Sequence, residues 1–410
     1  MDRRIPPADP GVRALVGLAQ AGLSRRRLLG LGGSAAMAAA LSACAPPLPP
    51  ASGKAAVTLP KDVSATEKIV NWANWTAYLD IDDATKKYPT LEAFIAATGI
   101  KVTYAEEIDD NDSYFNKVAA QLRAGQSIDR DLFVFTDWMA NRIIRDELVQ
   151  PLDLIQMPHA PNLLPSLREV SFDPGRHYSL PWQGGFGGIG YNKAKVGREI
   201  KSIADLWAPD LKGKVVVLSE FRDTVGMIMQ SQGVEISGPF VADQIQAGFD
   251  EVSKRIADGS IRRVKGNSYL EDLKAGNAVA AICWSGDIFM LKAETGDDSW
   301  EFVIPDSGGT LWTDNMMVPI TSTHRANAMR VMDYYYQPEV AAQVAAYVNY
   351  VCPVLGAQEI LAKDTPDLAA NPFIFPSDDY IKKHKVESFR ALSADEDADY
   401  SARWAKVVGN

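Results

Sequence analysis

The chain has 410 residues, of which 47% are hydrophobic and 23% charged, with a net charge of −10. That length exceeds what one hydrophobic core usually spans, so two lobes or domains are expected, and the acidic balance disfavours nucleic acid as a partner. Neither His-Glu-x-x-His, Gly-x-Ser-x-Gly nor a phosphate loop occurs, and the four histidines (His159, His177, His324, His384) are scattered, so zinc-protease, serine-nucleophile and nucleotide chemistry find no support.

The chain opens with an export pattern. Ser24, Arg25, Arg26, Arg27, Leu28 and Leu29 form a twin-arginine signal, followed by a Gly/Ala-rich run too short and too weakly apolar to span a bilayer. Leu41, Ser42 and Ala43 before Cys44 have lipobox form, so residues 1–43 are expected to be removed and Cys44 to carry the lipid anchor. The mature protein is then expected outside the cytoplasmic membrane, periplasmic or on the cell surface. The signal carries six arginines and two aspartates, which leaves the remaining 367 residues near −14. Residues 44–66 read as a proline-rich tether. Cys283 and Cys352 lack metal-ligand spacing, and a disulfide between them is chemically open outside the cell.

From about Lys68 the pattern alternates strand and helix. Residues 68–72 read as a strand, 90–99 as a helix stopped by Gly99, 100–104 and 130–135 as further strands, and 139–148 as a helix. Residues 181–192 form a glycine-rich strand-like run suited to a crossing between lobes. A second block follows, with strands at 215–218, 279–284 and 301–305 and helices from about Thr224 and over 239–257. Residues 310–314 lead back to helices over 324–335 and 338–348, and the C-terminal part, with its acidic 395–399 segment and a helix around 402–408, reads as surface. The alternation predicts an α/β fold with mostly parallel sheets.

One detail recurs where strands give way to loops. Trp75, Thr76 and Tyr78 follow the first strand, and Thr136 and Trp138 the third. Glu220 and Asp223 follow residues 215–218, Trp284 and Asp287 follow 279–283, and Trp312 and Asp314 come after the 301–305 strand. Ligands of open α/β sheets bind at the carboxyl ends of strands. Ring faces attract cations and accept a methylene chain, while carboxylates bind ammonium groups, so these pairs describe a site for a flexible aliphatic amine charged at both ends. Taken singly, Asp223 reads as a helix N-cap and Glu220 as a solvated carboxylate.

These residues resemble the spermidine/putrescine-binding receptors of ABC transporters. The resemblance runs from about Lys68 to Gly409 and is carried by Asn74-Trp75-Thr76-Ala77-Tyr78, Asp131-Leu132-Phe133-Val134, Ser179-Leu180-Pro181-Trp182, Cys283-Trp284-Ser285-Gly286-Asp287 and Leu311-Trp312-Thr313-Asp314. It implies a two-lobed type II periplasmic-binding-protein fold, with residues 67–184 and 313–358 in one lobe and 185–312 and 359–410 in the other. It further implies that Trp75, Thr76 and Tyr78 line one wall, that Thr136 supplies a hydroxyl and Trp138 an aromatic face, and that Glu220 and Asp223 read amine groups. Trp284 would stack on the alkyl chain, Asp287 would match a putrescine-type carboxylate, Asp314 would be the main ammonium anchor beside Trp312, and Tyr350 would close the slot. No residue matches the family's late C-terminal contact.

The expected function is capture of spermidine or putrescine and delivery to an ABC transporter permease, by a monomer without catalytic residues, metal or cofactor. One alternative is a same-fold receptor for another cationic or amino-acid-derived solute; an anionic solute would need an arginine in the slot, and Arg222 is the candidate. The other is an exported envelope hydrolase using Glu220 and Asp223 as a carboxylate pair, against which stands the missing nucleophile and metal chemistry.

Overall fold

The computed structural model describes residues 59–409, so the expected signal over 1–43, Cys44 and the first part of the tether lie outside the described residues. Strands β1 (Ile69–Trp75), β2 (Lys101–Ile108) and β3 (Leu132–Thr136) are followed by a two-residue hairpin, β4 (Glu169–Val170) and β5 (Asp173–Pro174). Then come β6 (Leu180–Asn192), β7 (Val215–Leu218), β8 (Ile261–Lys265), β9 (Ala280–Trp284), β10 (Trp300–Val303), β11 (Gly309–Met317) and β12 (Val386–Glu387). All but the hairpin join one sheet of order β2-β1-β3-β11-β6-β9-β7-β8, with β10 added on β6 and β12 on β11.

The expectation of mostly parallel sheets holds at the two ends and where β12 joins β11. At the ends β1 pairs with β2 and β3, and β7 with β8 and β9, all parallel. The centre is antiparallel, through β3/β11, β11/β6 and β6/β9. The reason lies in two hydrophobic cores. Leu180 and Trp182 at the start of β6 pack in a first core with Trp72, Phe133 and Met316, whereas Ile189 and Tyr191 at its end pack in a second core with Val216, Phe221 and Ile282. Strand β6 therefore runs from one core to the other and β11 runs back, and a return crossing beside an outgoing one must be antiparallel. All thirteen residues of β6 are buried, which explains a glycine-rich run that reads neither as a nucleotide loop nor as an alternating surface strand.

Three further features complete or change the sequence reading. The chain is held before Lys68: the Val63 N–H donates to the Thr323 carbonyl at 2.8 Å, and Asp62 accepts from the Ala326 N–H at 3.0 Å, satisfying an orphan donor of the helix Arg325–Tyr334. Cys283 and Cys352 are free buried thiols in different cores, so no disulfide joins them.

The third difference is the C-terminal segment, which is one helix from Ala394 to Val408, started by a Ser393/Glu396 capping box. Its acidic half does not simply face solvent. Asp397 is buried and accepts from Arg142 Nε and Nη2 at 2.8 and 2.9 Å and from Arg222 Nη2 at 2.6 Å. Arg142 lies on the helix Asp137–Arg145, whose Met139, Ala140 and Ile143 belong to the first core, while Tyr400 and Trp404 of the C-terminal helix belong to the second. Burial alone would raise the Asp397 carboxyl, but the Arg142 hydrogen bonds and the two guanidinium charges outweigh it and hold it below its usual value.

Asp397→Ala would leave two partly buried guanidiniums without their shared anion and is expected to cost about 3 kcal/mol of stability, read by urea unfolding at pH 7. Because the folded carboxyl titrates below its unfolded value of about 4, this contribution is present above that pH and lost as pH falls through the folded value. The gap between variant and wild type should therefore narrow in acid.

Candidate functional site

The sheet topology brings the ends of four strands, β1, β3, β7 and β9, to one cavity with an empty volume of about 400 Å³. The fifth contribution differs from the sequence reading, because Trp312 and Asp314 lie inside β11 rather than after a strand. Its lining includes Trp75, Thr76, Tyr78, Thr136, Glu220, Asp223, Trp284, Asp287, Trp312, Asp314 and Tyr350. Of the twelve residues expected from the sequence, Trp138 alone is not in the lining. Its ring instead lies 3.7 Å from the Arg222 guanidinium, beneath the ion cluster with Asp397. The side chain belongs to the first turn of the helix after β3, and the helix turns it out of the cavity while Thr136 faces in.

Three carboxylates are held by neutral donors. Asp314 on β11 accepts from the Tyr78 hydroxyl at 2.9 Å and from the Thr136 hydroxyl at 2.7 Å. Asp287 accepts from Tyr350 and Tyr269 hydroxyls, both at 2.7 Å. Asp223 accepts from the Trp284 indole at 2.9 Å and from the Thr310 hydroxyl. Asp223 and Asp287 sit in the first turns of the helices Phe221–Ser231 and Ser285–Thr295, where the positive end of the helix dipole favours an anion. None of the three has a salt-bridge partner among the described residues.

Burial dominates their titration. It pushes Asp314 up to about 7 and Asp287 up to about 6, against the hydrogen bonds from Thr136 and Tyr78 and from Tyr350 and Tyr269. Asp223 is raised for the same reason, with Thr310 and Trp284 opposing. Burial and the Asp314 charge hold the Tyr78 phenol far above its usual value, so it stays a donor.

Glu220 behaves otherwise than a solvated carboxylate. The helix starts at Phe221, three residues before the expected Thr224, which makes Glu220 the N-cap and moves Asp223 into the first turn. Glu220 accepts from the Arg222 backbone N–H and from Arg222 Nη1, both at 3.2 Å. Burial pushes it up to about 8, with Arg222 opposing and Asp223, Asp112 and Asp110 adding to the rise. Arg222 spends its charge on Glu220 and Asp397 and is not part of the cavity lining.

The walls are aromatic. Trp75 meets Trp284 at 6.2 Å between ring centroids, Trp284 meets Trp312 at 6.1 Å, Trp312 meets Tyr350 at 5.4 Å, and Tyr350 meets Tyr78 at 5.3 Å. The belt closes tightly against β6. A Cβ on Gly185 would stand 2.5 Å from the Trp312 ring and 2.8 Å from the Tyr350 ring, so only glycine lets both rings seat there.

Three lining residues lay outside the strand-end pattern: Tyr350, which the resemblance alone implied, and Asn111 and Asn267, which nothing in the sequence singled out. Asn111 opens the helix Asn111–Arg123, and its Nδ2 donates to the Thr136 hydroxyl at 2.9 Å. The sequence pattern assigned no element to this stretch, and only the contact with Thr136 distinguishes Asn111.

Comparison with known proteins follows the same line. The family model of bacterial extracellular solute-binding proteins matches residues 90–376. The spermidine/putrescine-binding periplasmic protein of Escherichia coli K12 is 26% identical over 312 residues, covering 75% of this chain and 83% of its own. The putrescine-binding periplasmic protein PotF of the same organism is 25% identical over 362 residues, covering 84% and 92%. The crystal structure of the spermidine/putrescine ABC transporter substrate-binding protein PotD from Streptococcus pneumoniae superposes with a TM-score of 0.65 at 24% identity, over 83% of this chain and 98% of that one.

Because Asp314, Asp287 and Glu220 ionise at higher pH folded than unfolded, the folded chain holds more protons between about pH 4 and 8. Linkage then makes the site destabilising as pH rises through that window. Asp314→Asn is expected to raise the ligand-free melting temperature at pH 8 and to have little effect near pH 5, as calorimetry at both values would show.

Proposed function

The chain belongs to the bacterial extracellular solute-binding protein family, and on that premise we propose that it captures a polyamine such as putrescine or spermidine and hands it to an ABC transporter permease. One observation carries this reading: three buried carboxylates, Asp223, Asp287 and Asp314, share an aromatic slot with no paired cation among the described residues. Ammonium groups supply the missing charge, and the belt from Trp75 to Tyr78 suits the methylenes between them. The site residues proposed for ligand contact are those of the cavity lining, with Trp138 replaced by Asn111 and Asn267. The diversion of Arg222 away from the cavity weighs against an anionic solute.

Binding draws on groups of both cores, so the ligand favours the state in which the lobes are closed. Division of the chain follows the two cores, with the crossings at β6 and β11. Outside the described residues, the reading includes twin-arginine export, cleavage before Cys44 and a lipid anchor there, which would hold the receptor at the membrane beside its permease; a monomer is the accompanying expectation. Among the described residues, the indole N–H groups of Trp75 and Trp312 have no hydrogen-bond partner, and this favours a second reading, a cationic solute that also carries an acceptor oxygen.

Isothermal titration with putrescine and spermidine at pH 7.5 tests the assignment. Asp314→Asn should weaken the interaction by about 2–5 kcal/mol, roughly 30-fold at the least, because it leaves an ammonium buried without its anion. Wild-type affinity should fall as pH drops through about 7 and then 6, where Asp314 and then Asp287 take up protons. No heat with either amine, beside binding of another cation, would move the assignment to the second reading. Expression in the presence of radiolabelled palmitate should label the wild-type chain and leave Cys44→Ser unlabelled.

A further inference from the structure

The turn formed by residues 109–111 touches both the second core's loops and the Asp314 anchor. The Asn267 N–H donates to the Asp109 carbonyl at 3.0 Å, and the Ser268 N–H donates to Asp109 Oδ1 at 2.8 Å. The Ser219 hydroxyl donates to Asp110 Oδ2 at 2.6 Å, while Asp110 Oδ1 caps the following helix at the Ser113 N–H. Ser219 and Asn267 belong to loops after β7 and β8, beside Leu218 and Tyr269 of the second core. The turn itself follows β2 and precedes Tyr114 and Phe115 of the first core. The bonds from Asn267, Ser268 and Ser219 therefore cross between the lobes, while the Ser113 cap holds the turn to its own helix.

The next residue carries the contact inward. Asn111 is 3% exposed, and it makes a two-way pair with Thr136: Nδ2 donates to the hydroxyl at 2.9 Å and Oδ1 accepts the Thr136 N–H at 3.2 Å. With its oxygen already receiving a proton from Asn111, the Thr136 hydroxyl has its own proton aimed at Asp314 Oδ1, at 2.7 Å.

Gly266 sets how closely the lobes can meet at this seam. A Cβ there would stand 2.2 Å from the Asp109 carbonyl oxygen and 2.8 Å from Asp109 Oδ2. Its backbone is not in the left-handed region, so alanine is conformationally acceptable and meets an obstacle only across the lobe boundary.

We infer that the 109–111 turn couples lobe closure to the ligand anchor, with Asn111 as a positioning residue that orients Thr136 onto Asp314 and Gly266 as the clearance that lets the seam form. The inference rests on the polyamine-receptor reading only for the identity of the ligand. Hydrogen exchange followed by mass spectrometry reads the seam directly, through the amides of Asn267 and Ser268, in wild type and Gly266→Ala, each with and without putrescine.

The expected result is loss of protection at those two amides in Gly266→Ala, with the ligand-free melting temperature kept and putrescine affinity weakened about tenfold or more. Equal protection in the two proteins under both conditions overturns the inference. A wild type that binds no polyamine but loses protection in Gly266→Ala retains the seam and overturns the functional reading alone. For the relay, the part of the ligand-free stability loss with rising pH that Asp314→Asn removes should move to higher pH in Asn111→Ala, since Asp314 loses an oriented donor. An unmoved midpoint removes Asn111 from the mechanism.

Discussion

Negative charge buried without a paired cation is the constraint on which the whole site rests. Among the described residues, the side chains that donate to Asp223, Asp287 and Asp314 are tyrosine, threonine and tryptophan, which orient a carboxylate without cancelling its charge. Desolvation of such a group is costly, and the raised titration of Asp287 and Asp314 is its direct expression. The fold tolerates the arrangement because the helix N-termini after β7 and β9 lie beside two of the carboxylates. A cation entering the slot removes the penalty and thereby gains affinity from strain already present in the empty protein.

The arginine that could have neutralised this charge is held elsewhere. Arg222 sits one residue from Asp223, yet it stacks on Trp138 and pairs with Glu220 and Asp397. The C-terminal helix thus does two things through one carboxylate. It ties Arg142 of the first core to the second, and it draws the nearest guanidinium away from the slot. Charge that looks like solvation in the acidic 395–399 segment is part of how the binding site keeps its sign.

The position of the site follows from the crossings. Strands β6 and β11 pass between the cores side by side, so the residues of β11 from Trp312 to Asp314 lie at the boundary, and loops from both cores reach them. The tight seat of Trp312 and Tyr350 against Gly185 fixes the aromatic belt on this rigid crossing while the flanking loops belong to one lobe or the other. A site built across the boundary gains its full set of contacts only when the lobes meet, which is why the seam at residues 109–111 and Gly266 bears on ligand affinity.

The α/β class, the order of most elements and ten of the cavity's lining residues were legible in the chain, because strand periodicity and the pairing of a ring with a carboxylate after strands are local signals, while Tyr350 came only from the family resemblance. The same local reading failed where partners come from far along the chain. Trp138 looked equivalent to the other tryptophans, but helix phase turned it to Arg222; Asn111 lies in a stretch to which the sequence pattern assigned no element, and contact with Thr136 gave it a role. Sheet direction at the centre and the fate of the acidic C-terminal segment were also decided only by the tertiary structure. Composition sets which groups are present and periodicity sets which element each joins. Whether a charge is solvated, paired or left buried depends on which distant groups the crossings bring within a few ångströms, and no local pattern encodes that.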